Sequence, residues 1–157
     1  MAGQEEKMNW SKDKSVLLSK ICVLLFAALL LVCDLAGPKI IGWWVDFRNM
    51  QNPNAAAEFL VSLYTLSAAG WLCLYSLWKL LSNISAQNIF TEVNISLMRT
   101  VSWLCAAAAL ICFASGFYYP PFFIAAAAAA FMMLIVRVVK NCFRQALDMK
   151  SELDLTI

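Results

Sequence analysis

The chain has 157 residues, 62% of them hydrophobic and 14% charged, with a formal net charge of +2. Soluble domains carry about a quarter charged residues, so this composition excludes an ordinary water-soluble fold, and the charge is too small to argue for nucleic acid. The chain has no histidine and its six cysteines form no C-x-x-C pair, so the usual signatures of a zinc site or a disulfide framework are missing.

The first apolar block, "SVLLSKICVLLFAALLLVCDLAG", predicts a membrane-spanning helix over about 15–36, since about 20 apolar residues cross the hydrocarbon. Its leader, "MAGQEEKMNWSKDK", carries acids and no A-x-A site follows, so the block reads as a retained span rather than a cleaved signal. Asp34 is the one acid within an apolar block, which makes it the candidate intramembrane polar site. Its expected place is near the outer end of the span, reaching water or pairing with Lys39. The connection "GPKIIGWWVDFRNMQNPNAAA" then reads as an outer loop broken by Pro38, Gly42 and Pro53, with "IIGWW" lying flat in the interface.

The second block, "AEFLVSLYTLSAAGWLCLYSLWKLL", predicts a span over about 58–81. A polar stretch, "LSNISAQNIFTEVNIS", follows as the inner connection, with Thr91 as an N-cap and Glu92 in the first turn of the next helix. The two N-I-S triplets at Asn83 and Asn94 match a glycosylation sequon but fall on the inner side, so they read as chance matches. The third span covers about 97–119. It is joined through "GFYYPP" to the fourth, about 120–140, with Pro120 and Pro121 suited to a first turn. Alanine runs at 106–109 and 125–130 predict a tightly packed hairpin, because small residues let membrane helices approach. Ala108, Cys112 and Gly116 continue that stripe at four-residue spacing.

Of the 12 lysines and arginines, only Lys39 and Arg48 fall in the outer loops. That asymmetry predicts both termini in the cytoplasm. Trp43, Trp44, Tyr118 and Tyr119 fall at the outer headgroups in this frame, and Trp78 and Trp103 at the inner ones. Past Arg137, Val139, Cys142, Phe143, Ala146 and Leu147 form a stripe opposite Lys140, Arg144 and Asp148, with Arg144 and Asp148 spaced to pair. The expected fold class is all-α: an integral membrane four-helix bundle, N-in/C-in, with an amphipathic cytoplasmic helix extension at 141–157. Residues 1–157 form one membrane domain.

The segment "NIFTEVNISLMRTVSWL" and the closing "VVKNCFRQALDMKSELDLTI" resemble the bacterial four-helix membrane proteins grouped as domain of unknown function 2975. Phe90, Thr91, Glu92, Asn94 and Arg99 match the segment that opens the third helix in that family. Phe143, Lys150, Glu152, Asp154, Leu155, Thr156 and Ile157 match its C-terminal close. Ile89 stands where a proline is frequent, Met98 separates Leu97 from Arg99, and Leu153 replaces a usual polar residue. The resemblance implies location in the bacterial cytoplasmic membrane. Because similar proteins often neighbour a gene for a small helix-turn-helix regulator, it also implies a membrane component that holds or senses for such a regulator.

The functional expectation is a non-enzymatic regulatory or interaction protein, with no cofactor, no metal and no direct nucleic-acid binding. Candidate partner-docking residues are Phe90, Thr91, Asn94, Arg99, Arg144 and Asp154 on the inner face. Expected partners are the lipid bilayer, a small cytoplasmic helix-turn-helix regulator, and further copies of the chain. The alternative is a small transporter or a lipid- or small-molecule-binding membrane protein, which calls for polar groups near mid-membrane. Along the sequence only Ser67, Gly70 and Trp71 fall there.

Overall fold

The computed structural model describes residues 2–50, 52–86 and 91–155, with side chains described over 15–50, 52–86 and 91–152. Four helices form among them: α1 (Ala2–Phe47), α2 (Ala55–Ser85), α3 (Glu92–Ser115) and α4 (Pro121–Leu155). Each contains a stretch long and apolar enough to cross a membrane. Chain neighbours run antiparallel: Gly37 meets Leu63 while Gly70 meets Leu30, Ser62 pairs with Ser115 while Asn83 pairs with Asn94, and Gly116 meets Phe123 while Glu92 pairs with Arg144.

The helices pack in chain order, α1 on α2, α2 on α3 and α3 on α4. The alanine-rich hairpin of α3 and α4 is the most extensively packed pair, as the small-residue runs predict. Ala126 and Cys112 are buried there, and a side chain added at Gly116 would meet the Phe123 ring at 2.7 Å. Gly37 makes an equivalent close approach to Leu63 where α1 crosses α2. The interior is rich in small and polar residues, among them Ser62, Ser67, Ser76, Ser102 and Ser115, beside the apolar Ile95, Met98 and Val101 at the start of α3. Large apolar residues such as Leu35, Leu110 and Ile124 face outward. This inverted distribution suits a lipid solvent, in which apolar surface needs no shelter and close backbone packing drives association.

Several hydroxyl groups within the spans find partners on their own helices. Thr65 donates to the Val61 carbonyl at 2.8 Å, Ser76 to Leu72 at 2.9 Å and Thr100 to Ser96 at 3.1 Å. This back-bonding pairs those hydroxyl protons where the hydrocarbon offers no partner.

One sequence expectation is corrected at the end of α1. The helix does not stop at Pro38 or Gly42 but continues to Phe47, so "IIGWW" is its last turns rather than a flat loop. It ends in a Schellman motif around Asn49, whose φ of 51° is the left-handed conformation asparagine tolerates. Asn49 N donates to Asp46 O at 3.1 Å and Met50 N to Val45 O at 3.3 Å. Trp43 stacks on Phe47 at 5.3 Å, and Arg48 lies 5.2 Å from the Trp44 ring, so this end carries an aromatic belt.

Pro38 survives inside the helix because another group does its work. Its missing N–H would serve the carbonyl four residues back, that of Asp34. The Tyr64 hydroxyl of α2 donates to that carbonyl at 3.4 Å. A neighbouring helix satisfying the freed group is how membrane helices tolerate proline.

Both predicted helix starts are observed. Thr91 is extended (φ −134°, ψ 148°) and its side chain accepts from Asn94 N at 3.4 Å, capping α3. Pro121 occupies the first position of α4.

Candidate functional site

Two polar regions stand out, one at each depth that the sequence marks. The first joins the start of α3 to the polar part of α4. Arg144 lies 3.7 Å from Glu92, both exposed, so α4 reaches the first turn of α3. This replaces the pairing of Arg144 with Asp148 suggested by their spacing. Thr91 is half-buried in its capping role and Arg99 is exposed two turns along α3.

Asn94 sits differently from its neighbours. It is 0% exposed, and its side-chain carbonyl accepts from Asn83 Nδ2 at 2.7 Å. The amides of the two sequon-like triplets thus bond each other and fasten the end of α2 to the start of α3. Asn94 shapes this end from within; Thr91, Arg99 and Arg144 present its surface. Phe90 lies outside the described residues. Asp154 lies in α4, with its side chain outside the described set. Glu92 and Asn83 complete the region. The sequence marks Glu92 only as a first-turn acid and Asn83 only as part of a sequon, since their partners lie on other helices.

The second region is built around Asp34. Its Oδ2 accepts from Ser67 Oγ at 2.8 Å and from Trp71 Nε1 at 3.0 Å. Its Oδ1 is buried and meets no donor among the described residues. Ser67 is itself 5% exposed. Tyr64, Ser67 and Trp71 fall at three- and four-residue steps, one stripe of α2 turned toward α1.

This placement corrects the expected position of Asp34. Because α1 runs on to Phe47, Asp34 lies 13 residues from its end, roughly 20 Å by helical rise. Ser67 and Trp71 flank the middle of α2. Asp34 therefore sits beside mid-helix polar groups rather than at the mouth of the span, and no ion pair to Lys39 forms among the described residues. Two signals in the sequence point this way. Asp34 stands four residues before Pro38, where a neighbouring donor is needed. Ser67 and Trp71 share one helical face.

A third polar cluster is structural. Ser62 Oγ lies 2.8 Å from Ser115 Oγ and 2.5 Å from the Tyr118 hydroxyl, which also donates to Glu58 O at 3.3 Å. Phe59, Tyr118, Tyr119 and Phe122 pack around it at centroid distances of 5.3–6.1 Å, tying α2 to the turn before α4. A groove of about 450 Å³ runs beside it between α2 and α3. All six cysteines are free. Among the described residues no three His, Cys, Asp or Glu side chains gather as metal ligands would.

The apolar helices with their inverted core define a multi-pass helical membrane protein. The chain belongs to the family described as protein of unknown function (DUF2975), whose model matches residues 4–157. Comparison with curated proteins and with solved structures returns no match.

Proposed function

We propose that this protein is a non-enzymatic membrane component whose cytoplasmic face docks a soluble partner, such as a small helix-turn-helix regulator. The observation that carries the reading is the 3.7 Å contact between Arg144 and Glu92. It brings the polar part of α4 to the first turn of α3, beside Thr91, with the exposed Arg99 two turns along the same helix. Ten of the 12 basic residues belong to this side in the N-in/C-in arrangement.

The length of α4 supports a cytoplasmic extension. Its 35 residues reach about 52 Å, against roughly 30 Å of hydrocarbon. Phe143, Ala146 and Leu147 are half-buried while Arg144, Gln145 and Asp148 are exposed, the two-faced pattern of an amphipathic helix. The membrane is then the bacterial cytoplasmic membrane, with the regulator held at its inner surface. Further copies of the chain join through the outward apolar faces.

Photo-crosslinking from position 144 in cells tests this reading. A small soluble DNA-binding protein should be captured, and truncation before Arg144 should abolish the capture. An intact complex after truncation contradicts it.

A second reading, a small transporter or carrier of a lipid or other small molecule, gains from one observation. Asp34 meets Ser67 and Trp71 beside the middle of α2, where such proteins hold their polar groups. Substrate uptake into vesicles lost in the Trp71→Ala variant would favour it over docking.

A further inference from the structure

The hydrogen bonds around Asp34 are lopsided. One carboxyl oxygen, Oδ2, accepts two, from Ser67 at 2.8 Å and Trp71 at 3.0 Å. The other, Oδ1, is enclosed and accepts none among the described residues. An ionised carboxylate shares its charge between both oxygens and draws donors to each. A carboxylic acid behaves otherwise: its carbonyl oxygen accepts two hydrogen bonds, and its hydroxyl oxygen carries a hydrogen of its own and draws none from a neighbour. Two donors on Oδ2 and none on Oδ1 fit this second pattern.

Among the described residues no cation pairs with Asp34. Among them α2 is the helix packed against α1, and the titratable side chain it brings to Asp34 is Tyr64. That hydroxyl is spent on the backbone carbonyl freed by Pro38. On α1 itself Cys33 is adjacent and Lys39 lies more than a turn away, with no ion pair to Asp34 among the described residues. A bare charge inside a span is costly.

We propose that Asp34 is a proton-binding site within the bilayer, with the proton on Oδ1 and with Oδ2 as the acceptor for Ser67 and Trp71. The site stands apart from the docking surface and does not depend on it. Release of the proton places a charge between α1 and α2 that a single oxygen's two donors cannot satisfy, so the joint between these helices responds to proton occupancy.

Infrared difference spectroscopy on the full chain in lipid vesicles tests this, comparing the native protein with Asp34→Asn between about pH 5 and about pH 9. The native protein should show a protonated-carboxyl carbonyl band at neutral pH that Asp34→Asn lacks. The Asn amide keeps an acceptor for Ser67 and Trp71, so this variant should fold. The Ser67→Ala variant removes a donor that favours the ionised form, and should move the loss of the band to higher pH. Dicyclohexylcarbodiimide, which attacks protonated carboxyls in apolar surroundings, gives a readout that needs no variant: its mass should appear on the peptide holding Asp34. A carboxylate band alone at neutral pH, or an unlabelled Asp34 peptide, would overturn the proposal.

Discussion

The Tyr64 hydroxyl donates to the backbone carbonyl of Asp34, the carbonyl that Pro38 cannot serve. The proline in α1 and the tyrosine in α2 are therefore a matched pair. Tyr64→Phe should destabilise the protein by about 1 kcal/mol, the ordinary value of one such bond in a membrane protein or somewhat above it. Pro38→Ala restores the N–H donor within α1 and should make the tyrosine dispensable. A double-mutant cycle read by unfolding in mixed micelles checks this. The coupling should be at least about 0.5 kcal/mol, and additive effects would contradict it.

The cap on α3 makes a second, local prediction. Thr91→Ala removes the side-chain acceptor for Asn94 N and should cost about 1 kcal/mol, while Thr91→Ser should retain most of it. Hydrogen exchange at the first amides of α3 reports the difference. Faster exchange is expected in the alanine variant alone.

Much of this molecule is legible in its sequence because lipid imposes simple rules. Apolar length places the four helices, Thr91 and Pro121 mark two of their starts, and the alanine runs identify the hairpin that packs most closely. The exit from α1 is not legible in the same way. Pro38 and Gly42 look like breakers, yet the helix runs on to Phe47, because a hydroxyl thirty positions from Asp34 satisfies the carbonyl that the proline frees. That misplacement carries the Asp34 site with it, since its depth depends on where α1 stops. Asn94 illustrates a different limit. Its residue type suits a surface, and its bond to Asn83 on α2, a partner eleven residues away on another helix, goes with its complete burial.

Close packing in the α3–α4 hairpin is tested at Gly116. An added methyl would meet the ring of Phe123, which packs against Phe113 and Phe117 at 5.5 and 5.7 Å. Displacing that ring should make Gly116→Ala less stable by about 1–3 kcal/mol. Gly42→Ala offers a control, since nothing stands within 4 Å of its added side chain. Chemical unfolding of both variants in the same micelle provides the comparison, and equal midpoints would count against tight packing at Gly116.

The pair formed by Arg144 and Glu92 separates stability from recognition. Both side chains are exposed at 3.7 Å, so the bond itself should contribute less than about 1 kcal/mol and weaken with salt. Arg144→Glu should leave the unfolding midpoint nearly unchanged while abolishing capture of the cytoplasmic partner. Unimpaired capture by this folded variant would remove Arg144 from the docking surface.

The orientation of the chain underlies the docking account, and one measurement reaches it directly. A compartment-specific reporter is fused after Ile157 and a second placed between Arg48 and Asn54, in whole cells. The account predicts cytoplasmic activity for the first and external activity for the second. The reverse pattern, or both reporters on one side, would contradict it.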